Sequence, residues 1–567
     1  MDRGATDPLI LLVAVPIIRR GDRQLPTFAR KRIWPRSLVR GRKFSKHISE
    51  SLRWYNEEHD PDENRETAPP DDEKIETQCI WVVEFYLPSH LEGLIAHVHA
   101  LGWGDPDRDD REGLRPWIQQ HSQSLSSLGW KNLGIVARPT EKGVLGMYRP
   151  APLPEPVDFV RGGIDHLFPG CLAISLQFVL TDYAAESVQR ELTKVRQTYA
   201  VPTRNGASFI SPFHQKSEGC RETRKGLRQS CADWFRENLP GYFSSIHGAE
   251  FPAAEFMTLR KERPFERLPA KRWNSYLNAM GMGYQFDVWE SPALPGVRAV
   301  QGRDDSTVLT FVAKESEFAD GLSEEDWQSH GGRNRDGFTN RLQYLGRTTT
   351  VWGLEALLRS WEGQLADSRN RLATVELGRA GKAAKQIERR QRSFLGVSRD
   401  LVPLISDLKD FCEDRRWFHV EVYEFDHVPI QRPSGGKRET FVSTVRHGVT
   451  AVLRRDRKGV SPPQRPRLFE SLRVGFLRRA ERIQELEREV RDTASSQASL
   501  LSGLVQNRAA GIMIFLTVVL ITLTAVILFL TVVLVVDTPN SGSDSAPSSP
   551  SPRAAEIIPD VINSDFC

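Results

Sequence analysis

The histidines of AHVHA, His97 and His99, are the first pair in the chain with the spacing of metal ligands. On a strand, residues two apart share a face; on a helix they lie about 200° apart and do not. The surrounding SHLEGLIAHVHALGW reads as helix. Ser89 and Glu92 have capping-box spacing, and Leu91, Leu94, Ile95, Val98 and Leu101 fall on one side, so the pair is not read as a site. DPDRDDREG, from Asp105, opens like a calcium loop, but Asp110 and Pro116 stand where an EF-hand needs Gly and Glu. GRAGKAA has Glu376 in place of the first phosphate-loop Gly and Ala383 in place of Ser or Thr; PSGGKRET has Gln431 at that first position. HGGRNRDG (330–337) lacks G-x-G-x-x-G spacing. His214, Cys220 and Cys231 are too loosely spaced for a zinc site, and there is no CxxC, HExxH or G-x-S-x-G. His166 in GGIDHLFPG stands alone. No catalytic, cofactor-binding or metal-ligating set emerges, and the chain is not read as an enzyme.

Charge offers a second kind of chemistry. The chain of 567 residues carries a net charge of only +4, but unevenly. Arg19–Lys46 holds eleven basic residues against Asp22 alone. Arg30, Lys31, Arg32, Arg36, Arg40, Arg42, Lys43 and Lys46 are the candidates for an anionic surface, with Phe28, Trp34 and Phe44 available for interfacial contact. The plainer reading is a solvated arm partly neutralised by its acidic neighbour; if the arm binds a surface, membrane lipid is the nearest one, and nucleic acid is not the expected partner. The acidic, Pro-punctuated stretch Asn56–Glu76 reads as a linker, so residues 1–76 are expected to be an arm and linker, partly disordered.

Near the carboxyl end, GIMIFLTVVLITLTAVILFLTVVLVV (511–536) contains no charge, and nineteen of its 26 residues are Leu, Ile, Val or Phe. As a helix it measures about 39 Å, enough to cross a hydrocarbon core of roughly 30 Å, and its insertion is favourable by about 6 to 11 kcal/mol. Arg482, Arg488, Arg491 and Arg508 precede it, whereas Asp537, Asp544, Glu556, Asp560 and Asp565 follow. The positive-inside rule therefore predicts a single-pass protein with its bulk cytoplasmic and its tail outside; a bacterial cell membrane is the expected location. The Ser/Pro-rich tail (537–567) is expected to be disordered. Pro8–Ile18 is apolar but has the reverse of a signal peptide's flanking charges and reads as a buried strand. Six scattered cysteines fit a reducing compartment.

The elements in front of the span predict an α+β class. Cys79–Leu87, Asn132–Thr140, Cys171–Leu180, Gln285–Glu290 and Ser306–Lys314 read as strands. A helix from Tyr183 is predicted with Val188, Leu192, Val195 and Tyr199 as its stripe, and another over Gln215–Asn238. EFYLPSHLEGL and QFVLTDYAAES are faintly alike, which suits a ferredoxin-like repeat within a mixed α/β region of 77–340. From Thr349 the period becomes helical: two helices, an irregular insert (416–466), then a third. Together, 349–510 read as a helical stalk. Phe469, Phe476, Ile483, Val490, Gln497 and Leu504 share one heptad position of the third helix; Leu472, Arg479, Leu486, Thr493 and Leu500 share another. A seven-residue repeat calls for coiled packing, either on the preceding helices or between chains. In the second case Phe469, Leu472, Phe476, Ile483, Leu486, Val490, Leu500 and Leu504 would carry homo-oligomerisation.

The junction SSQASLLSGLVQNRAAGIMIFL resembles the stalk-to-membrane junction of CorA-type magnesium channels. That resemblance implies a mixed α/β cytoplasmic domain on long helices leading into a membrane. The family's second span and Gly-Met-Asn loop have no counterpart here; AMGMGY (279–284) lies far from the span. The expectation is thus a carboxyl-anchored interaction, sensing or scaffold module with an unknown cytoplasmic protein partner. The alternatives are a divergent channel subunit or an unfamiliar enzyme.

Overall fold

The computed structural model describes residues 42–103, 113–122, 129–138, 148–203, 206–263, 280, 286–294, 296–302, 308–321, 323–332, 335–374, 386–387, 389, 401–413, 424–428 and 467–536. Its centre is set by two strands that are apolar on both faces. β1 (Ile75–Tyr86) is buried throughout from Cys79 onward, and all ten residues of β5 (Cys171–Leu180) are buried. A strand buried on both sides must lie inside a layered fold. The two pair antiparallel, Cys79 opposite Val179 through to Tyr86 opposite Leu172.

The other strands are β2 (Gly129–Ala137), β3 (Tyr148–Pro150), β4 (Val157–Phe168), β6 (Tyr199–Thr203), β7 (Gly206–Ile210), β8 (Ala253–Leu259), β9 (Phe286–Glu290), β10 (Val297–Gly302), β11 (Val308–Lys314) and β12 (Asp426–His427). Ten of them form one mixed sheet in the order β12-β9-β10-β11-β8-β1-β5-β4-β2-β3; β6 and β7 form a separate hairpin. Pairs β11/β8 and β2/β3 are parallel and the rest antiparallel. The insert, expected to be irregular and partly extended, supplies β12 at one edge of the sheet.

Before the sheet lie α1 (Arg42–Trp54), a π-helical turn (Tyr55–His59) and α2 (Asp60–Thr67). The linker expected over 56–76 is therefore corrected to helix as far as Thr67. Side-chain bonds explain it: Asn64 Nδ2 donates to the Arg196 carbonyl at 2.7 Å, and Arg196 N–H donates back to Asn64 Oδ1 at 2.9 Å. After β1 comes α3 (Leu91–Ala100), which follows a 3₁₀ turn, Pro88–His90; His90 precedes the helix without a side-chain cap, so the capping box is not formed. The helix expected from Tyr183 breaks into α5 (Asp182–Ala185) and α6 (Ser187–Thr193), α4 being Leu114–Ser122. Val188 and Leu192 are buried as expected, but Val195 is 83% exposed and Tyr199 belongs to β6.

The long helix α7 (Pro212–Asn238) covers one sheet face. Arg224 Nε donates to Glu255 of β8 at 2.6 Å and its Nη2 to Thr310 of β11 at 2.9 Å, while Trp234 meets Phe178 of β5 edge-on at 5.8 Å. At its far end is α8 (Tyr242–Ser245), bonded to Glu84 of β1. The opposite face receives α9 (Glu315–Asp320), α10 (Glu324–Ser329), α11 (Arg335–Leu342) and α12 (Leu345–Ala373), through Phe256 against Phe338 and Gly353 against Phe85. Trp81, Trp327, Trp352 and Trp361 are all but fully buried. At roughly 25 cal/mol per Å² over 150–250 Å² each, every such ring contributes about 4 to 6 kcal/mol before entropic costs.

The last helix, α13 (Leu468–Val536), runs unbroken for 69 residues. The chain divides into one unit comprising residues 1–370 and 392–490 and a second comprising 371–391 and 491–567. The first unit therefore includes the amino-terminal part of α13, which the sequence grouped with the stalk. There Phe469, Leu472, Phe476, Ile483, Leu486 and Val490 are buried. Arg479 pairs with Glu355 and Glu362 of α12, and Lys409 Nζ, from the helical residues 401–413, donates to Gln484 Oε1 at 2.8 Å. In the second unit Gln497 donates to the Leu372 carbonyl.

The second unit also holds the one helical stretch among the described residues that is long and apolar enough to cross a membrane, with mean hydropathy 2.9. From Ile512 to Val532 its large apolar side chains lie between 37% and 68% exposed. Thr517, Thr522, Thr524 and Thr531 each donate their hydroxyl to the carbonyl four residues back at 2.7–2.8 Å. The backbone and these hydroxyls are thus satisfied within the helix, as a hydrocarbon environment demands.

Candidate functional site

Polar side chains gather on one face of the sheet's centre because of strand alternation. On β4, Arg161, Gly163 and Asp165 point the same way. Register sets Arg161 beside Gln177 and Gly163 beside Ser175 on β5, Gln177 beside Trp81 on β1, and Asp165 beside Trp130 on β2. The loop after α11 and the first turn of α12 close over them with Gln343, Tyr344 and Arg347. Arg161 Nη1 donates to Gln177 Oε1 at 2.9 Å, and Gln177 Nε2 donates to the Thr339 carbonyl at 2.9 Å. Thr350 Oγ1 donates to Asp165 Oδ2 at 3.2 Å. Arg347 lies 3.7 Å from Asp165 Oδ1, with its guanidinium 4.8 Å from the centre of the Trp130 ring.

The chain comes this close because residue 346 is glycine: a Cβ there would lie 2.6 Å from Ser175 Oγ and 3.5 Å from Trp81 Nε1. The Trp81 indole N–H, wholly buried, has no acceptor among the described residues. The cavity left between these groups is about 20 Å³, room for one ordered water. Two guanidiniums against one carboxylate leave it net positive. Among the described residues its lining holds no histidine. The arrangement is a buried, donor-rich network that joins sheet to helix.

The nucleophile candidates are quiet. The five described cysteines are buried thiols. Burial pushes Cys220 and Cys412 up to about 12, and Cys171 and Cys231 further, so none of these four is a thiolate at neutral pH. Glu84 differs. Burial pushes its carboxyl up to about 7, although Phe243 N–H, both Ser244 donors and Phe85 N–H hold it down at 2.8–2.9 Å. Glu255 is fully buried; burial would raise its carboxyl, but Arg224 and Arg228 hold it below the usual range.

A second polar cluster lies at the start of α2. His59 Nδ1 is 4.0 Å from Asp60 Oδ1 and 3.9 Å from Glu63 Oε2, and the three ligand atoms lie within 4.8 Å of one another. The sequence reading missed both clusters. The signals were Ser175 and Gln177 two apart in an otherwise apolar strand, and the i, i+1, i+4 spacing of His59, Asp60 and Glu63.

Of the residues that sequence singled out, Arg42, Lys43 and Lys46 lie on α1, while Arg30, Lys31, Arg32, Arg36 and Arg40 lie outside the described residues. Of the candidate self-association residues, the six from Phe469 to Val490 are covered within the chain, Leu500 is 57% exposed, and Leu504 lies on α13. His97 and His99 are on α3, with His97 Nδ1 2.6 Å from the Gly93 carbonyl. His166 is buried and meets His121 edge-on at 6.0 Å; His121 stacks on Trp117 at 4.2 Å. His214 Nδ1 is 3.2 Å from Ser211 Oγ. GRAGKAA, PSGGKRET and DPDRDDREG fall outside the described residues except for Gly113. No protein-family model, curated protein or solved structure matches this chain.

Proposed function

We propose that the chain is a membrane-anchored interaction or sensing module, held in a bilayer by the apolar end of α13 and presenting its sheet domain on the cytoplasmic side. The observation that carries this reading is the continuity of one helix. Its amino-terminal turns are buried against the sheet domain's helices, and its last turns expose an uninterrupted apolar surface. Such a surface is costly in water and stable in hydrocarbon. Arg482, Arg488, Arg491 and Arg508 on one flank and the acidic tail on the other support the orientation. With the heptad residues of 469–490 already covered, self-association falls to the segment around Leu500 and Val505, both more than half exposed, and to the span itself. The basic residues of the arm, continuing into α1, add attraction to an anionic inner leaflet.

Flotation on liposomes tests the reading. Full-length protein reconstituted from detergent floats with the vesicles and resists alkaline extraction, and a chain ending at Arg508 stays at the bottom of the gradient. If the truncated chain resists extraction equally well, α13 is not the anchor.

A further inference from the structure

The geometry points to a divalent transition-metal site formed by His59 Nδ1, Asp60 and Glu63, of the class that takes zinc. On a helix, Glu63 lies one turn above both His59 and Asp60, so the i, i+1, i+4 spacing turns all three side chains toward one space. The π-helical turn Tyr55–His59 delivers His59 to that position, and such turns concentrate at functional sites.

An independent observation marks the gap between them as a ligand position. His59 Nδ1 and Glu63 Oε2 are both sealed from solvent, and neither has a hydrogen-bond partner among the described residues. At 3.9 Å they are too far apart to bond each other. Two ligands each about 2.1 Å from a tetrahedral ion sit about 3.4 Å apart, so His59 and Glu63 need to approach by about half an ångström, and the widest gap in the trio, at most 4.8 Å, by no more than about 1.4 Å.

Both oxygens of Asp60 and the second oxygen of Glu63 are already oriented, as ligating groups usually are, and Asp60 Oδ1 keeps a second lone pair for an ion. Thr198 N–H donates to Asp60 Oδ2 at 2.5 Å and its hydroxyl to Asp60 Oδ1 at 2.6 Å. Ser211 stands at the N-cap of α7, yet its hydroxyl donates to Glu63 Oε1 at 3.0 Å and makes no cap bond. One imidazole nitrogen with two carboxylates suits zinc and its neighbours manganese, iron(II) and cobalt(II) better than calcium or magnesium, which take oxygen alone. Two carboxylate charges match the dication. The His59 side chain is 42% exposed, which leaves a path for the ion and for water to complete its shell. A bound ion would fasten the turn that carries α1 to the foot of α7 and to the residues leading into β6.

The test uses full-length protein in detergent, stripped with chelator and titrated with zinc chloride in a calorimeter, then with cobalt(II) under an absorption spectrometer. One equivalent is expected, with cobalt(II) bands of a nitrogen-and-oxygen site of low coordination number. His59→Ala is expected to weaken zinc binding about 10- to 100-fold and to abolish those bands. Glu63→Gln, which keeps the bond from Ser211 and the side-chain volume, is expected to weaken it at least 10-fold with the far-UV spectrum unchanged. Zinc uptake no tighter in the parent than in Glu63→Gln would overturn the site, as would cobalt(II) bands that persist in His59→Ala.

Discussion

Thr198 grips Asp60 through both carboxylate oxygens across 138 residues of sequence, its N–H on one and its hydroxyl on the other. With the Asn64–Arg196 and Ser211–Glu63 bonds, it ties an acidic, Pro-containing segment to the rest of the domain. Thr198→Val keeps the shape and the backbone donor but removes the hydroxyl. Hydrogen bonds to charged groups are worth about 1.5–3 kcal/mol, so this variant is expected to lose stability on that scale. Limited proteolysis locates the loss, with faster cleavage between Trp54 and Thr67 and no change within β1 or β5.

Glu255 is a buried charge whose partners, Arg224 and Arg228, come from a distant helix. Replacing it with Gln leaves Arg224 and Arg228 without their counter-charge inside the fold, which costs about 3–5 kcal/mol. A chemical denaturation midpoint reads this directly. Replacing Glu255 and both arginines together with apolar residues of similar volume is expected to recover most of the loss.

Glu84 gives the domain a pH dependence of defined sign. Its folded pKa, raised to about 7, exceeds the unfolded value near 4.5. The folded state therefore holds the proton more tightly. This contribution is fully present below pH 4.5 and is lost as pH rises from 4.5 through 7, by about 3 kcal/mol in all. Glu84→Gln is expected to flatten the stability profile across that window, measured by denaturation at fixed pH steps.

Gly346 holds the cap of α12 down on the polar network. Gly346→Ala forces the added methyl against Ser175 Oγ and is expected to cost about 1–3 kcal/mol, less the gain in helix propensity. Adding Ser175→Ala removes the colliding oxygen and is expected to restore about half of the loss, so a double-mutant cycle gives a positive coupling.

The sequence made the long-range architecture legible where residue pattern alone decides it. The chargeless run after Arg508 and the heptads from Phe469 to Val490 both lie on α13, and the apolar strands β1 and β5 are where period and composition put them. What stayed hidden depends on partners far along the chain. β4 carries Arg161, Gly162, Gly163, Asp165 and His166, broken only by Ile164, a poor strand until Gln177, Thr350 and Arg347 meet its polar face. β8 has Glu255 at its centre, and only Arg224 and Arg228 make that tolerable. α2, DPDENRET, has no apolar stripe, and its order comes from Thr198, Arg196 and Ser211. The network around Ser175 assembles through such pairings and forms no contiguous motif; His59, Asp60 and Glu63 are local in sequence, and only their partners Thr198 and Ser211 are distant.

The sequence beyond the apolar end of α13 contains Cys567, and the five other cysteines are buried in the folded domain. A membrane-impermeant maleimide added to intact cells therefore reports directly on whether the apolar end of α13 crosses the bilayer with the domain inside. The account predicts labelling without permeabilisation that disappears in Cys567→Ser. Labelling of Cys567 only after the membrane is opened would contradict it.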